Sequence, residues 1–219
     1  MIVLTFNYNN NIMNISSILG REKFMAQVLK EEIEKRIYMA AIDEFYNRGY
    51  QSATLRNIAC KADIPVGLIY SYYKNKEALF AAIVTPTYLS FQKMLSKSSL
   101  HETNLEYDKF FQEELPFIFS MLKNDRKPFI ILIDKSKGTI YENASEKIIQ
   151  LTQIHIKKQI QYRIGQSEKM DDLFYHILAN NFMEGLFEIA RHYKDEKWAI
   201  NIMKLFMHQY FYGIKAIIN

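Results

Sequence analysis

The chain is 219 residues long, with 49% hydrophobic and 24% charged residues, ordinary values for a globular protein with room for a small module and a larger domain with its own core. Its 7 glycines and 4 prolines are too few for a turn-rich β fold, so the chain reads as all-α, and its single cysteine excludes an intrachain disulfide framework and fits a reducing cytosol. A net charge of +4 does not by itself argue for nucleic acid, so function has to be sought in where the residues lie.

Residues 1–24 are apolar in patches but lack a positively charged start and are interrupted by Asn7, Asn9, Asn10 and Asn11. That is not the pattern of a signal peptide. No stretch approaches the ~18 uninterrupted apolar residues of a membrane span, so no membrane partner is expected. The asparagine run can bury little, and residues 1–24 are expected to form a flexible extension or to precede a start near Met25.

From Ala26 to Asn47, the residues Ile37, Ala40, Ala41 and Phe45 form a helical stripe, with Lys30, Glu31, Glu34 and Lys35 on the wet side. Gly49 is placed to end that helix because it enters positive φ cheaply. Thr54 has the residue type of an N-cap, and Leu55, Ile58, Ala59 and Ala62 recur behind it at helical spacing. Asp63 and Ile64 make a corner, and Pro65 opens a third segment carried by Leu68, Ile69, Tyr70, Tyr72 and Tyr73 to Lys74 and Asn75. Two short helices across such a corner read as a helix-turn-helix, whose second helix enters the DNA major groove. Between Tyr46 and Lys76 lie Arg48, Arg56, Lys61, Lys74 and Lys76 against Asp63 alone, a local basic excess of the kind that meets phosphates.

Gly49-Tyr50, Thr54, Ile58-Ala59, Ala62, Gly67, Tyr70, Tyr72 and the run Asn75-Lys76-Glu77-Ala78-Leu79 resemble, in order and without a gap, the DNA-binding domain of TetR-type (TetR/AcrR) transcriptional regulators. The resemblance implies a helix-turn-helix DNA-binding domain over residues 25–80 and a larger helical domain over 81–219 for effector binding and dimerisation. It further implies a cytoplasmic homodimer on a palindromic double-stranded operator, released by a small hydrophobic or amphipathic effector. A TetR-like architectural or protein-recruiting DNA binder with no effector is the alternative. Two positions depart from the family pattern. Asp63 stands where a corner glycine is usual, and Pro65 where a capping serine is usual, which leaves Asp63 as the expected cap.

Within this unit, Thr54 is either a phosphate donor at the start of the second helix or a plain N-cap. By resemblance, Lys76 anchors the DNA backbone. Tyr70 and Tyr72 are placed to offer hydroxyls to phosphates, or to pack beneath the helix. Arg56 suits the O6/N7 pair of guanine or, alternatively, a phosphate. Val66, Leu68 and Ser71 are the groove-facing candidates; only Ser71 can hydrogen-bond, so specificity is expected to lean on thymine methyls, Arg56 and DNA shape. Cys60 reads as a small buried hydrophobe.

Beyond it, a fourth helix is expected from Lys76 to about Ser96, then a loop to Asn104, and a fifth from Tyr107 to Leu122 that Pro116 should kink or shift. A break is expected from Asn124 to Pro128. Phe129 to Asp134 is an apolar run whose periodicity fits helix or strand, and the resemblance makes it a short helix. A long helix follows from Asn143 or Ser145 to Arg163, then a loop at Gly165, and helices over Asp171 to Tyr193 and Glu196 to Ile218. Thr152, His155, Gln159 and Tyr162 line one face of the long helix, either toward an effector or toward solvent; Phe110, Phe111, Asn181 and Phe182 complete the candidate effector residues. Gly185, Trp198, Ile202, Leu205, Phe206 and Gln209 are the dimerisation candidates, with intrachain core as the other reading. The five histidines lack zinc spacing, and there is no glycine-rich phosphate loop or GxSxG elbow, so no catalytic residue, cofactor or metal is expected.

Overall fold

Polar side chains cap the starts of four of the described helices. In the computed structural model, which describes residues 8–97, 107–164 and 170–218, the described elements are all helices. In chain order they are α1 (Tyr8–Ser52), α2 (Leu55–Ala62), α3 (Val66–Ile69), α4 (Lys76–Lys97), α5 (Tyr107–Asn124), α6 (Arg126–Asp134), α7 (Ala144–Ile164), α8 (Asp172–Arg191) and α9 (Glu196–Ile218). Thr54 Oγ1 accepts from the Asn57 amide at 3.1 Å, Asn75 Oδ1 from Ala78 at 2.8 Å, Asp171 Oδ1 from Leu173 at 2.7 Å and Asp195 Oδ1 from Trp198 at 2.8 Å. Each satisfies an amide that the first turn leaves without an intrahelical partner.

Two boundaries differ from the sequence expectation. Helix α1 begins at Tyr8 rather than Ala26, so the stretch expected to be flexible is helical over much of its length. Asparagine lowers helix propensity by only a fraction of a kcal/mol per residue, and no proline interrupts the chain before Pro65. The chain break near Asn124 narrows to Asp125, and Pro128 falls in the first turn of α6, where its missing N–H costs nothing. Helix α5 runs through Pro116. The expected loops at residues 98–104 and at Gly165 lie outside the described residues, as do the side chains of Phe110, Phe111 and Tyr162.

One continuous apolar core joins the N-terminal unit of α1–α3 to the body, with Ile37, Ala41, Phe45, Ile58, Ile69, Leu79 and Phe80 at one end and Phe91, Ile118, Phe129, Ile148, Tyr175 and Phe187 at the other. The apolar run in α6 is helical and buried from Pro128 to Ile133. In the body Phe91 stacks on Phe129 at 5.0 Å, and Phe129 meets Phe187 at 5.7 Å.

Along the seam between the two parts, Gly49 breaks α1 at φ 71° and turns the chain so that the Tyr50 amide donates to the Lys135 carbonyl at 3.0 Å. On the body side the α6–α7 loop is braced by Ser136 Oγ, donating to the Leu132 carbonyl at 2.6 Å, and by Thr139 Oγ1, donating to the Ser136 carbonyl at 2.7 Å. Gly138, at φ 83°, lies close enough to Gln51 that a Cβ there would meet its Nε2 at 3.1 Å. Thr85 of α4 and the Tyr141 hydroxyl share a hydrogen bond of 2.7 Å.

Helices α8 and α9 are held together by the Phe206 ring, which lies over Gly185; a Cβ at that glycine would overlap the ring. Gly185→Ala is therefore expected to lower stability by about 1 kcal/mol in thermal denaturation, the overpacking outweighing the gain in helix propensity, and Phe206→Leu in the same chain should recover part of the loss.

Candidate nucleic-acid interface

The N-terminal unit presents one face of α3 and the turn after it. Ile69 is fully buried and anchors the segment, while Tyr72 and Tyr73 are half-buried with their rings against the core. Val66, Gly67, Tyr70 and Ser71 are exposed, and Leu68 is half-buried. A Cβ added at Gly67 would meet no protein atom within 4 Å, so its backbone is open to close approach from outside. Helix α3 is shorter than expected. Beyond Ile69 the chain tightens, with Ser71 donating to the Leu68 carbonyl at 3.1 Å and Tyr72 to the Ile69 carbonyl at 3.0 Å. Of the two tyrosines read as phosphate contacts, Tyr70 stands outward and Tyr72 packs its ring beneath.

The corner before α3 is made differently from the expectation. Asp63 adopts φ 52° and ψ 54°, and the Ile64 amide donates to the Ala59 carbonyl at 3.1 Å, closing α2 in the manner usually given to glycine. Asp63 does not cap α3; Pro65 holds the N-cap position and no side chain caps it. Instead Arg36 of α1 donates to the Ala62 and Asp63 carbonyls, the latter at 2.8 Å, and its guanidinium lies 3.6 Å from the Asp63 carboxylate. This brace holds a left-handed aspartate that the chain would otherwise adopt at a cost of about 1 kcal/mol.

Three of the five basic residues counted in the sequence are engaged inside the unit. Lys61 pairs with Asp43 at 2.7 Å and lies 3.1 Å from Glu44, and Arg48 is 3.5 Å from Glu44. Lys76 Nζ donates to the Tyr50 carbonyl at 2.8 Å and the Ala53 carbonyl at 3.0 Å, with the Tyr50 ring 4.4 Å away. Burial pulls the Lys76 ammonium below the usual lysine range. The family resemblance made this lysine a phosphate anchor, whereas the structure gives it an internal role, pinning the end of α1 to the start of α4. Arg56 and Lys74 are exposed and make no ion pair among the described residues. Thr54 is a working N-cap whose hydroxyl proton stays available to a phosphate. Cys60 is exposed rather than buried, on the outer face of α2.

Glu44 is a functional-unit residue that sequence reading missed, because it looks like one more polar position on a surface helix. It is fully buried, and Asn57 Nδ2 donates to it at 2.9 Å. Burial pushes its pKa up, but Asn57, Lys61 and Arg48 outweigh that and hold it below the usual 4.5. The hydrogen bond from Lys61 and its charge hold Asp43 low as well, and Lys127 of α6 adds to this from 3.7 Å.

In the body, Thr152 and His155 are buried rather than solvent-facing. Thr152 Oγ1 donates to the Ile148 carbonyl at 2.9 Å, and His155 Nε2 lies 2.7 Å from Gln159 Nε2. Burial, with a smaller contribution from Lys158, holds the His155 pKa below 6.5 against the backbone of Leu95, so the ring is neutral near pH 7. Asn181 is exposed and does not share the interior of His155, and Phe182 turns to α9, stacking on Phe206 at 5.7 Å. Of the dimerisation candidates, Gly185 and Phe206 meet each other within the chain, and Trp198 and Ile202 are half-buried against their own core. Leu205 and Gln209 are exposed, as are Leu173, Ile177 and Tyr212. Among the described residues no group of histidine, cysteine, aspartate or glutamate is arranged to hold a metal, and no helix is long and apolar enough to cross a membrane.

The family model of bacterial regulatory proteins of the tetR family matches residues 37–83. YdgC, an uncharacterized HTH-type transcriptional regulator of Bacillus subtilis, is 32% identical over 98 residues, which are 43% of this chain and 50% of YdgC. This chain thus spans half the length of that relative. YhgD, a second such regulator of Bacillus subtilis, is 29% identical over 144 residues, 62% of this chain and 69% of YhgD. Among solved structures, NalD, the secondary repressor of the MexAB-OprM multidrug efflux pump in Pseudomonas aeruginosa, superposes with a TM-score of 0.55 at 19% identity, over 82% of this chain and 95% of NalD. A TetR-like transcriptional regulator from Rhodococcus sp. RHA1 does so with a TM-score of 0.56 at 18% identity, over 84% and 96%. These two likenesses are of fold.

Because the Asp43 and Glu44 pKa values are lowered in the folded chain, their stabilisation is complete above the unfolded values of 3.8 and 4.5 and is lost as pH falls through the folded ones. Thermal melting followed from pH 6 downward should drop steeply below about pH 4.5, and Glu44→Gln should flatten that drop while lowering stability near pH 7 by about 2 kcal/mol.

Proposed function

We propose that this chain, a member of the TetR family of bacterial transcriptional regulators, acts as a homodimeric repressor that binds a palindromic operator through α3 and is released by a small hydrophobic or amphipathic effector. The observation that carries the DNA-binding half is the outer face of α3. Val66, Gly67, Tyr70 and Ser71 stand clear of the core on a segment pinned from beneath by Ile69, with Thr54 and Arg56 at the start of α2 beside it. Thr54 and the helix start serve phosphate, Arg56 reads a base edge, and Val66 and Leu68 meet thymine methyls. Tyr70 and Ser71 offer hydroxyls. Tyr72 and Lys76 act mainly by holding the segment in place.

Two half-sites a helical turn apart require a two-fold dimer. The exposed apolar residues Leu173 and Ile177 on α8 and Leu205 and Tyr212 on α9 support a dimer face there, with Gln209 beside them and with Trp198, Ile202, Gly185 and Phe206 forming its intrachain support. For release, an effector must bind the spread form better than the DNA-competent one. Buried Thr152 and His155, with Gln159, are the polar groups proposed to orient it; Phe182 faces α9 instead, and Phe110 and Phe111 stay candidates from the sequence alone. Asn181 is not part of that set. The packed ring cluster of Phe91, Phe129 and Phe187 favours the second reading, a DNA binder without an effector, because it fills interior space in the body.

Fluorescence anisotropy against DNA upstream of the chain's own gene, over a salt series and with scrambled competitor, tests the proposal. Specific binding that weakens steeply with salt is expected. Arg56→Ala should reduce discrimination between cognate and altered operator by about 1–3 kcal/mol, and unchanged discrimination would remove Arg56 from base reading. Gly67→Ala should leave the melting temperature equal or slightly raised while weakening operator binding, since the added methyl crowds only the outer face.

A further inference from the structure

The inner face of α1 runs on past the core it serves. Ile37, Ala40 and Ala41 are buried on that face and Ile33 is half-buried against the core, but Leu29, one turn earlier, is 57% exposed, and Val28 and Met25 beside it are exposed too. Helix α1 continues back to Tyr8. In the sequence Ile12, Ile15, Leu19, Glu22, Ala26, Leu29 and Ile33 follow one another at intervals of three and four, the repeat that keeps one stripe along a helix, and Ile18 and Met25 widen it. Glu22 is its single polar position.

Charge narrows what could cover this stripe. Between Tyr8 and Lys35, the basic Arg21, Lys23, Lys30 and Lys35 are balanced by Glu22, Glu31, Glu32 and Glu34. Helices that settle on anionic lipid or on DNA phosphate carry a basic excess, and this one has none, so its composition fits a helical protein surface of little net charge. A second copy of the same helix meets that requirement. Paired antiparallel, the free part of the stripe matches itself end to end: Ile12 falls opposite Leu29 of the second copy, Ile15 opposite Ala26 and Leu19 opposite Glu22, each pair repeated by the two-fold axis. Parallel pairing would set Glu22 against Glu22, two like charges in one layer. A lone polar position of this kind selects register and orientation in paired helices.

We propose that α1 from Ile12 to Leu29 is a self-association surface, on which a second copy of this chain lays the same stretch antiparallel. The strip is about 27 Å long and about 10 Å wide, less than the ~800 Å² per partner of a standard interface, so the contact is weak between free chains and gains when chains are already held in pairs. The dimer face proposed on α8 and α9 uses other residues, and pairing through α1 therefore joins dimers into tetramers. That such a tetramer links two operators rests on the DNA-binding reading; the pairing itself does not.

Sedimentation velocity of the full chain over a wide concentration range tests the surface, and assembly that grows from two chains to four is expected. Leu29→Glu places a carboxylate opposite Ile12 of the second copy and should raise the concentration for half-assembly about tenfold or more, with the melting temperature unchanged because Leu29 lies beyond the core. Leu205→Glu, on the exposed face of α9, should remove the other contact and leave the α1 pair as a two-chain species. In a Cys60→Ser background, oxidation of an equal mixture of Ile12→Cys and Leu29→Cys chains should link position 12 to position 29 across copies. No assembly through any face, or assembly unaffected by Leu29→Glu, would overturn the proposal and leave the stripe to a different partner. Disulfides joining position 12 only to position 12 would overturn the antiparallel register. A two-chain limit abolished by Leu29→Glu and untouched by Leu205→Glu would overturn the α8–α9 dimer while upholding the α1 pair.

Discussion

The Lys76 ammonium holds three helix ends at once. It comes from the first turn of α4, and it donates to the Tyr50 and Ala53 carbonyls, which lie between the Gly49 break in α1 and the Thr54 cap of α2. Carbonyls at the end of a helix carry partial negative charge and attract a cation, and here the Tyr50 ring covers the same ammonium. Burial weakens the charged form, and the two carbonyls compensate by satisfying it directly. With those ends tied, the orientation of α2 relative to α1 is set, and with it the face that α3 turns outward.

Around that point the reading unit keeps much of its charge to itself. Arg36 braces the left-handed corner, and Lys61 and Arg48 surround the buried Glu44. What remains for an outside partner is a small set, Arg56 and Lys74 with the hydroxyls of Thr54, Tyr70 and Ser71. A count of basic residues in the sequence therefore overstates the surface charge of this unit. The internal pairs do structural work that apolar packing alone, in a unit with one four-residue helix, could not do as directionally.

Local patterns made the helix-turn-helix legible: the Ile58, Ala59 and Ala62 spacing, the Thr54 cap, the Gly49 stop and the Pro65 start are all signals carried within one turn of helix. The long helices α7, α8 and α9 were legible for the same reason. What could not be read was any choice made between distant segments. Lys76 looks like a cation free for phosphate until its carbonyl partners, far back in sequence, are seen. Glu44 and Asp43 look like wet-face residues until α2 packs over them. Cys60 was placed inside because small apolar residues usually are, whereas the inward positions of α2 belong to Ile58, Ala59 and Ala62. Gly185 was read as an approach for another subunit, and the ring of Phe206 from the next helix occupies it.

The exposure of Cys60 has a practical side. It is the chain's only cysteine, and it stands on α2 of the reading unit rather than in the body. A spin label or fluorophore attached through sulfur would therefore mark one site per chain without any change to the sequence. In a two-fold assembly the distance between two such labels is the separation of the reading units themselves. Under the dimer proposed above, that distance would follow the spreading of the two units on release.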